Sequence, residues 1–306
     1  MRTSTNLFEH HLFKSSNCYA ELKRVPLQAI DIGARGGVHP VFSSAAPLID
    51  MLCFEIDDEQ CRNVENGPRP DFARFDVLPV VLGPGGPREL HLTRAGVNCS
   101  LLTPSTRFAR RYAVPGFDVM GKLPVSTQTL DCVASARGAD IGEFIKIDVQ
   151  GAELEVLGGG IATLQAHTVA VVAEVSFVEM YDGQPLFPDV CRFLESFGFS
   201  FYGFIQEAHR SAILRERLAQ ERPTWNERMI HADAVFFKDP LSMNIQLSAR
   251  QVTALLFSSM LLGYLDFSIE LARALIPEKE EGGLLERLAR ELANAGQGQG
   301  GSTSDS

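Results

Sequence analysis

The 306-residue sequence predicts an α/β fold built on a mainly parallel sheet with helices on both faces. Three observations carry that expectation. Short apolar runs end in glycine or an acidic residue, as at residues 27–33 (LQAIDIG) and 51–57 (MLCFEID), the mark of a buried parallel strand feeding a turn. Segments of helical periodicity separate such runs, as parallel connections require. The composition, 45% hydrophobic and 22% charged, is that of a globular chain able to bury the sheet.

Residues 1–26 read as an N-terminal extension and 27–240 as the α/β domain. Its first strand is 27–33, its second 51–57, and its third 75–82 (FDVLPVVL), followed after a GPGGP turn by the alternating ELHLT of 89–93, a strand with one wet face. Residues 142–149 (GEFIKIDV) predict another buried strand, and 152–164 a helix bounded by glycines. Strand 169–174 and helix 189–197 follow, the helix closed by Gly198. Residues 199–205 and 232–238 form an expected antiparallel pair, separated by a charged insertion at 207–228 that reads as an exposed helix. Residues 241–293 form a C-terminal helical appendage, one helix over 248–276 and a shorter one over 284–293; residues 294–306 are polar and read as a mobile tail. Leu255, Leu256, Leu261, Leu262 and Leu265 give the appendage an apolar face for the core or for a second subunit, and a homodimer is expected through it.

A net charge of −10 argues against nucleic acid as a partner, because that affinity rests on clustered Lys and Arg. The six cysteines show no C-x-x-C spacing, so neither zinc nor a disulfide framework is expected, and reduced thiols point to the cytoplasm. The N-terminus lacks the apolar core of a secretory signal. The apolar window 252–269 is interrupted by Ser258, Ser259, Gly263 and Asp266 and predicts a packed helix, not a membrane span.

Chemistry is expected at the strand ends. The turn formed by Asp31, Gly33, Ala34, Arg35, Gly36 and Gly37 follows the first strand, where glycines let backbone approach a ligand. Its spacing departs from G-x-G-x-x-G. Glu55, with Ile56 and Asp57, closes the second strand, where an acid can accept hydrogen bonds from both ribose hydroxyls of a nucleoside. Asp148 and Lys146 end the fourth principal strand and Glu174 the next; a carboxylate there can take a proton from an acceptor, with a structural Lys146–Asp148 ion pair as the competing reading. Asp148 and Glu174 could also contact a divalent cation, but no third ligand is evident and no metal is expected. His39 and His231 are possible proton acceptors, but a lone histidine is more often structural and neither sits in a charge-relay spacing, so both stay outside the site. Arg107, Arg110 and Arg111 read first as a solvated helix face and second as contacts for an anionic acceptor.

Residues 144–157 (FIKIDVQGAELEVL) resemble the hallmark segment of the FkbM-type methyltransferase family. The resemblance continues at 31–33 (DIG), 53–57 (CFEID), 129–131 (TLD), 174–177 (EVSF) and 181–187 (YDGQPLF), and covers about residues 27–240. It implies a Rossmann-like class I methyltransferase fold with a seven-stranded sheet and an antiparallel last strand. It also implies S-adenosylmethionine as cofactor and O-methylation of a sugar, glycan or polyketide-like acceptor. Arg35 stands where relatives resemble a GAN-type turn, and Gln150 where a glutamate is often seen. A nicotinamide-dependent oxidoreductase would share the glycine turn and the acid, and a noncatalytic scaffold would share the core; failure to bind S-adenosylmethionine would favour these.

Overall fold

The structure, a computed structural model, describes residues 6–56, 58–138, 141–212, 226–243, 245–276 and 279–297. Seven of its strands form one sheet: β1 (Leu27–Ile32), β2 (Ile49–Glu55), β3 (Arg74–Pro79), β6 (Phe144–Ile147), β7 (Ala170–Ser176), β8 (Phe199–Arg210) and β9 (Arg228–Lys238). Their spatial order is β3-β2-β1-β6-β7-β9-β8. The strands from β3 to β7 run parallel, whereas β9 runs antiparallel to both β7 and β8. This is the expected seven-stranded Rossmann-like sheet with its last strand reversed. The chain order reverses between β1 and β6, and the crevice at such a reversal is where open α/β sheets bind ligands.

Alternating residues divide the sheet between two cores. Ala29, Met51, Phe144, Val172 and Val235 face one, with Leu22, Phe42, Leu255, Leu256 and Phe257 packed on them. Ile30, Leu52, Ile145 and Val171 face the other, with Leu130, Val156, Leu164 and Leu194. Each large aliphatic side chain fully buried this way contributes about 1.5 to 3 kcal/mol. The first layer comes from both ends of the chain: α2 (Asn17–Arg24), α9 (Ala249–Leu261) and α10 (Leu265–Leu275). Arg250 of α9 binds both oxygens of buried Glu143 and the carbonyls of Val25 and Pro26, which fixes the helix to the entrances of β1 and β6. The five leucines expected to pack on the core or on a second subunit all pack into or against this chain's own core.

Several elements differ from the sequence expectation. Residues 152–164 form two helices, α6 (Glu153–Gly158) and α7 (Ile161–Ala166), because the carboxylate of Asp131 accepts the N–H groups of Ala162 and Thr163 and restarts the helix there. The span 248–276 likewise breaks at Gly263 into α9 and α10. Strand β4 (Gly86–Thr93) leaves the main sheet and pairs with β5 (Val119–Thr127) as a separate antiparallel hairpin. Gly121 and Pro124 hide β5 in the sequence, and Pro124 is tolerated because β5 has a partner on one side only. The ends of the 207–228 insertion are strand, not helix, since β8 runs on to Arg210 and β9 starts at Arg228; residues 213–225 lie outside the described residues. No disulfide joins any of the six cysteines, and among the described residues no helix is long and apolar enough to cross a membrane.

Candidate active site

The carboxyl ends of β1, β2 and β6 meet in one place. Gly33 has φ +87°, and a Cβ there would lie 1.9 Å from the carbonyl oxygen of Asp148, so only glycine allows the β1 and β6 ends to touch. The Asp148 N–H donates to the Ile32 carbonyl at 2.9 Å and closes the junction. Asp31 is buried and its Oδ2 accepts the His39 N–H at 2.7 Å, which folds the glycine turn back onto the sheet. Burial raises the Asp31 pKa, with nearby Lys146 pulling the other way.

In front of this junction lies a cavity of about 300 Å3. Gly33, Arg35, Glu55, Ile56 and Asp148 line it, together with Ile32, Phe54, Val80 and Leu82 on the sheet side. Leu90 of β4 and Gly96, Val97, Cys99 and Leu101 of the connection from β4 to β5 supply the rest of the wall. Arg35 Nη1 donates to the Gly96 carbonyl at 2.6 Å and so ties the glycine turn to the hairpin wall. Glu55 is 4% exposed at the end of β2. The volume is at the lower end for small-molecule sites, and the mix of apolar wall and a few directed polar groups is typical of one.

Beside the cavity, the edge from β6 to β9 concentrates charge. Lys146 is 3% exposed, with Nζ 3.7 Å from Asp148 Oδ2 and 3.5 Å from Asp233 Oδ1. Burial lowers the pKa of this ammonium, but Asp148, Asp233 and Asp31 outweigh it and the net direction is up. Asp233 also meets His39 Nε2 at 3.3 Å. Burial pushes the Asp233 carboxyl up, while His39 and Lys146 bring it below its usual value.

Gln150 organises the next layer. Its Nε2 donates to Asp148 Oδ1 at 2.7 Å and to Glu174 Oε2 at 3.3 Å, its Oε1 accepts the Tyr181 hydroxyl, and its carbonyl accepts Ser100 Oγ. Gln150 takes φ +57°, a left-handed conformation that costs a non-glycine residue about 1 kcal/mol or more and persists when surrounding contacts fix it. Glu174 Oε1 in turn lies 2.9 Å from His231 Nδ1. Burial and Asp148 raise the Glu174 pKa against the pull of His231.

The sequence shows no third carboxylate near Asp148 and Glu174, yet the structure brings one there: carboxylate oxygens of Asp148, Glu153 and Glu174 lie within 4.8 Å of one another. Glu153 Oε1 accepts the N–H groups of Val149 and Gly151. Burial, then Glu174 and Asp148, push its pKa up to about 8, so it is largely protonated at neutral pH. With Gln150, His231 and backbone N–H groups on these oxygens, the cluster is a hydrogen-bonded carboxyl network.

Of the residues expected at the site, Gly33, Arg35, Glu55, Ile56 and Asp148 share the cavity wall. Asp31, Ala34, Gly36 and Gly37 belong to the turn that shapes it, and Ala34 is buried. Lys146 lies behind the wall and Glu174 beside it, and both reach it through Asp148 and Gln150. Asp57 lies outside the described residues. Arg107, Arg110 and Arg111 are exposed on α4 (Thr106–Tyr112), as a solvated face would be. Glu153 and Asp233 were not foreseen, and His231 was weighed but left outside the site; His231 and Asp233 share a β9 face, but only the β7–β9 register places them beside Glu174.

Part of the chain is similar to known methyltransferases. Residues 58–201 match the model of the methyltransferase FkbM domain. The 2-O-methyltransferase NoeI of Sinorhizobium fredii is 30% identical over 167 residues, which cover 51% of this chain and 65% of that protein, just short of two thirds of its length. The crystal structure of methyltransferase FkbM from Methylobacillus flagellatus aligns at 15% identity and TM-score 0.35, over 69% of this chain and 43% of the other. Magnesium protoporphyrin IX methyltransferase from Synechocystis, crystallised with bound S-adenosylmethionine, aligns at 10% identity and TM-score 0.31, over 72% of this chain and 74% of the other. The matched stretch holds the whole segment from β6 to β7, with Asp148, Gln150 and Glu174, so this part of the chain is similar to the methyltransferase FkbM domain.

Proposed function

We propose that this methyltransferase transfers the methyl group of S-adenosylmethionine to a hydroxyl oxygen of a sugar, glycan or polyketide-like acceptor. The observation that carries the reading is the single cavity shared by the Gly33 turn, Glu55 and Asp148. A nucleoside fits these residues. Glu55 stands at the end of β2 with a carboxylate suited to two ribose hydroxyls, and Phe54, Leu82, Leu90 and Leu101 offer apolar walls to a base. The requirement for glycine at position 33 leaves backbone, not a side chain, at the centre of the floor.

When bound, S-adenosylmethionine supplies a methyl carbon made electrophilic by a positively charged sulfur. The chain's own part is to hold the acceptor in line and keep water out. Asp148, at the cavity wall, offers a carboxylate to orient the incoming hydroxyl, and Lys146 and Gln150 fix that carboxylate from behind. The 2-O-methyltransferase named among the relatives supports an oxygen acceptor.

The test is transfer of tritium from S-adenosyl[methyl-3H]methionine to a panel of glycosides, oligosaccharides and polyketide alcohols. Label recovered in an alkali-stable ether is the expected result. Label found only in esters or amines, or on no acceptor at all, would contradict hydroxyl methylation.

A further inference from the structure

We infer that His231 is the proton acceptor of this site and that Glu174 holds its ring in place, so that the pair deprotonates the acceptor hydroxyl while Asp148 orients it. The inference rests on the methyl-transfer reading above. Its basis is geometric. His231 Nδ1 lies 2.9 Å from Glu174 Oε1, with the carboxylate side chain 12% exposed and the imidazole 32% exposed. The carboxylate is thus the buried member and the ring the accessible one. The two ring nitrogens lie on opposite sides of the imidazole, so a ring that turns Nδ1 inward to Glu174 turns Nε2 outward. A base oriented by a third group is the arrangement that proton abstraction requires.

The other groups at this edge are less suited to the task. Asp148 Oδ1 accepts the Gln150 amide and Oδ2 faces Lys146, so both of its oxygens are already engaged. Glu153 is 4% exposed and holds two backbone N–H groups. Asp233 is engaged by Lys146 and His39. Gln150 links the cavity to the pair, since the same amide nitrogen contacts Asp148, which lines the cavity, and Glu174.

The charged groups that act on His231 are Glu174 on β7, Asp148 after β6 and Asp233 on its own strand. On β8 the residue opposite is Ala208, and the flanking Glu207 and His209 contact each other at 3.9 Å. Burial alone would lower the imidazole pKa; Glu174, then Asp148 and Asp233, outweigh it, and the net direction is above the ordinary value. In the transfer, the acceptor oxygen forms its bond to the methyl carbon as the carbon–sulfur bond breaks, with that electron pair left on sulfur. The hydroxyl proton passes to Nε2, and the imidazolium formed is balanced by the Glu174 carboxylate.

The experiment combines an imidazole titration by nitrogen-15 NMR on wild type and Glu174→Gln with S-adenosylhomocysteine calorimetry and methyl transfer by His231→Gln. In the titration, His231 is expected to have its midpoint lowered by Glu174→Gln. S-adenosylhomocysteine affinity is expected within threefold of wild type in His231→Gln, with transfer to any alcohol methylated by wild type reduced at least about 100-fold. The acid limb of the wild-type rate profile, set by the raised imidazole, moves to lower pH in Glu174→Gln. A His231 midpoint that ignores Glu174→Gln, or a His231→Gln protein that keeps its transfer rate, overturns the assignment. Where no alcohol is methylated, the titration decides alone. Failure of wild type to bind S-adenosylhomocysteine is a separate result that removes the methyl-transfer reading and the base with it.

Discussion

The cavity and the charged edge beside it share Asp148 but are built differently. The cavity wall is apolar side chain and backbone, with Glu55 and Asp148 as its acids and Arg35 tying its two halves together. The edge from β6 to β9 holds Asp148, Glu153, Glu174 and Asp233 against Lys146, His39 and His231, joined by the Gln150 amide. Shape and backbone approach govern the first region, and proton placement governs the second. On the proposed reading, a nucleoside would occupy the first region, and most of the charge offered to the chemistry would lie beside it.

The comparison breaks most readily where the two regions touch. Gly33→Ala places a Cβ 1.9 Å from the Asp148 carbonyl, in a backbone conformation that alanine resists. A loss on the order of 3 kcal/mol in stability is expected, together with loss of S-adenosylhomocysteine binding. Thermal melting and calorimetry check both, and a variant that melts and binds like wild type would show that the junction is not as tight as described.

A smaller effect sharpens the electrostatic half. The Glu153 carboxyl, with its pKa near 8, stays protonated in the folded state after its unfolded counterpart has ionised. Its contribution to stability is therefore fully favourable below the unfolded value of about 4.5, declines as pH rises, and is lost above about 8. Glu153→Gln keeps an oxygen for the two backbone N–H groups and removes the titration. The melting temperature of wild type should fall relative to Glu153→Gln between pH 5 and pH 8, by an amount corresponding to about 2 to 4 kcal/mol. Parallel melting curves across that range would refute the network.

These two regions were not equally legible in the sequence. Gly33, Glu55 and Asp148 are readable because each closes an apolar run, and strand ends in a parallel sheet must meet along one edge. Gln150 reads as a departure from its relatives, but its function depends on being neutral, since an amide donates to Asp148 and Glu174 where a carboxylate would repel both. Glu153 sits in AELEVL, which looks like the wet start of a helix; the loop from Val149 to Gly151 turns its N–H groups onto the side chain and buries it. His231 and Glu174 become neighbours only through the antiparallel β7–β9 register, a long-range pairing that no local pattern announces. The hairpin wall was half visible, as β4 alternates cleanly while Pro124 and Gly121 disguise β5.

The most direct test of the central claim is calorimetric titration of the purified protein with S-adenosylmethionine and S-adenosylhomocysteine, repeated with Glu55→Ala. The account predicts saturable binding of both by wild type and a loss of about tenfold or more in the variant, from two charge-assisted hydrogen bonds to the ribose. Absence of binding by a folded wild type, or equal binding by Glu55→Ala, would contradict it.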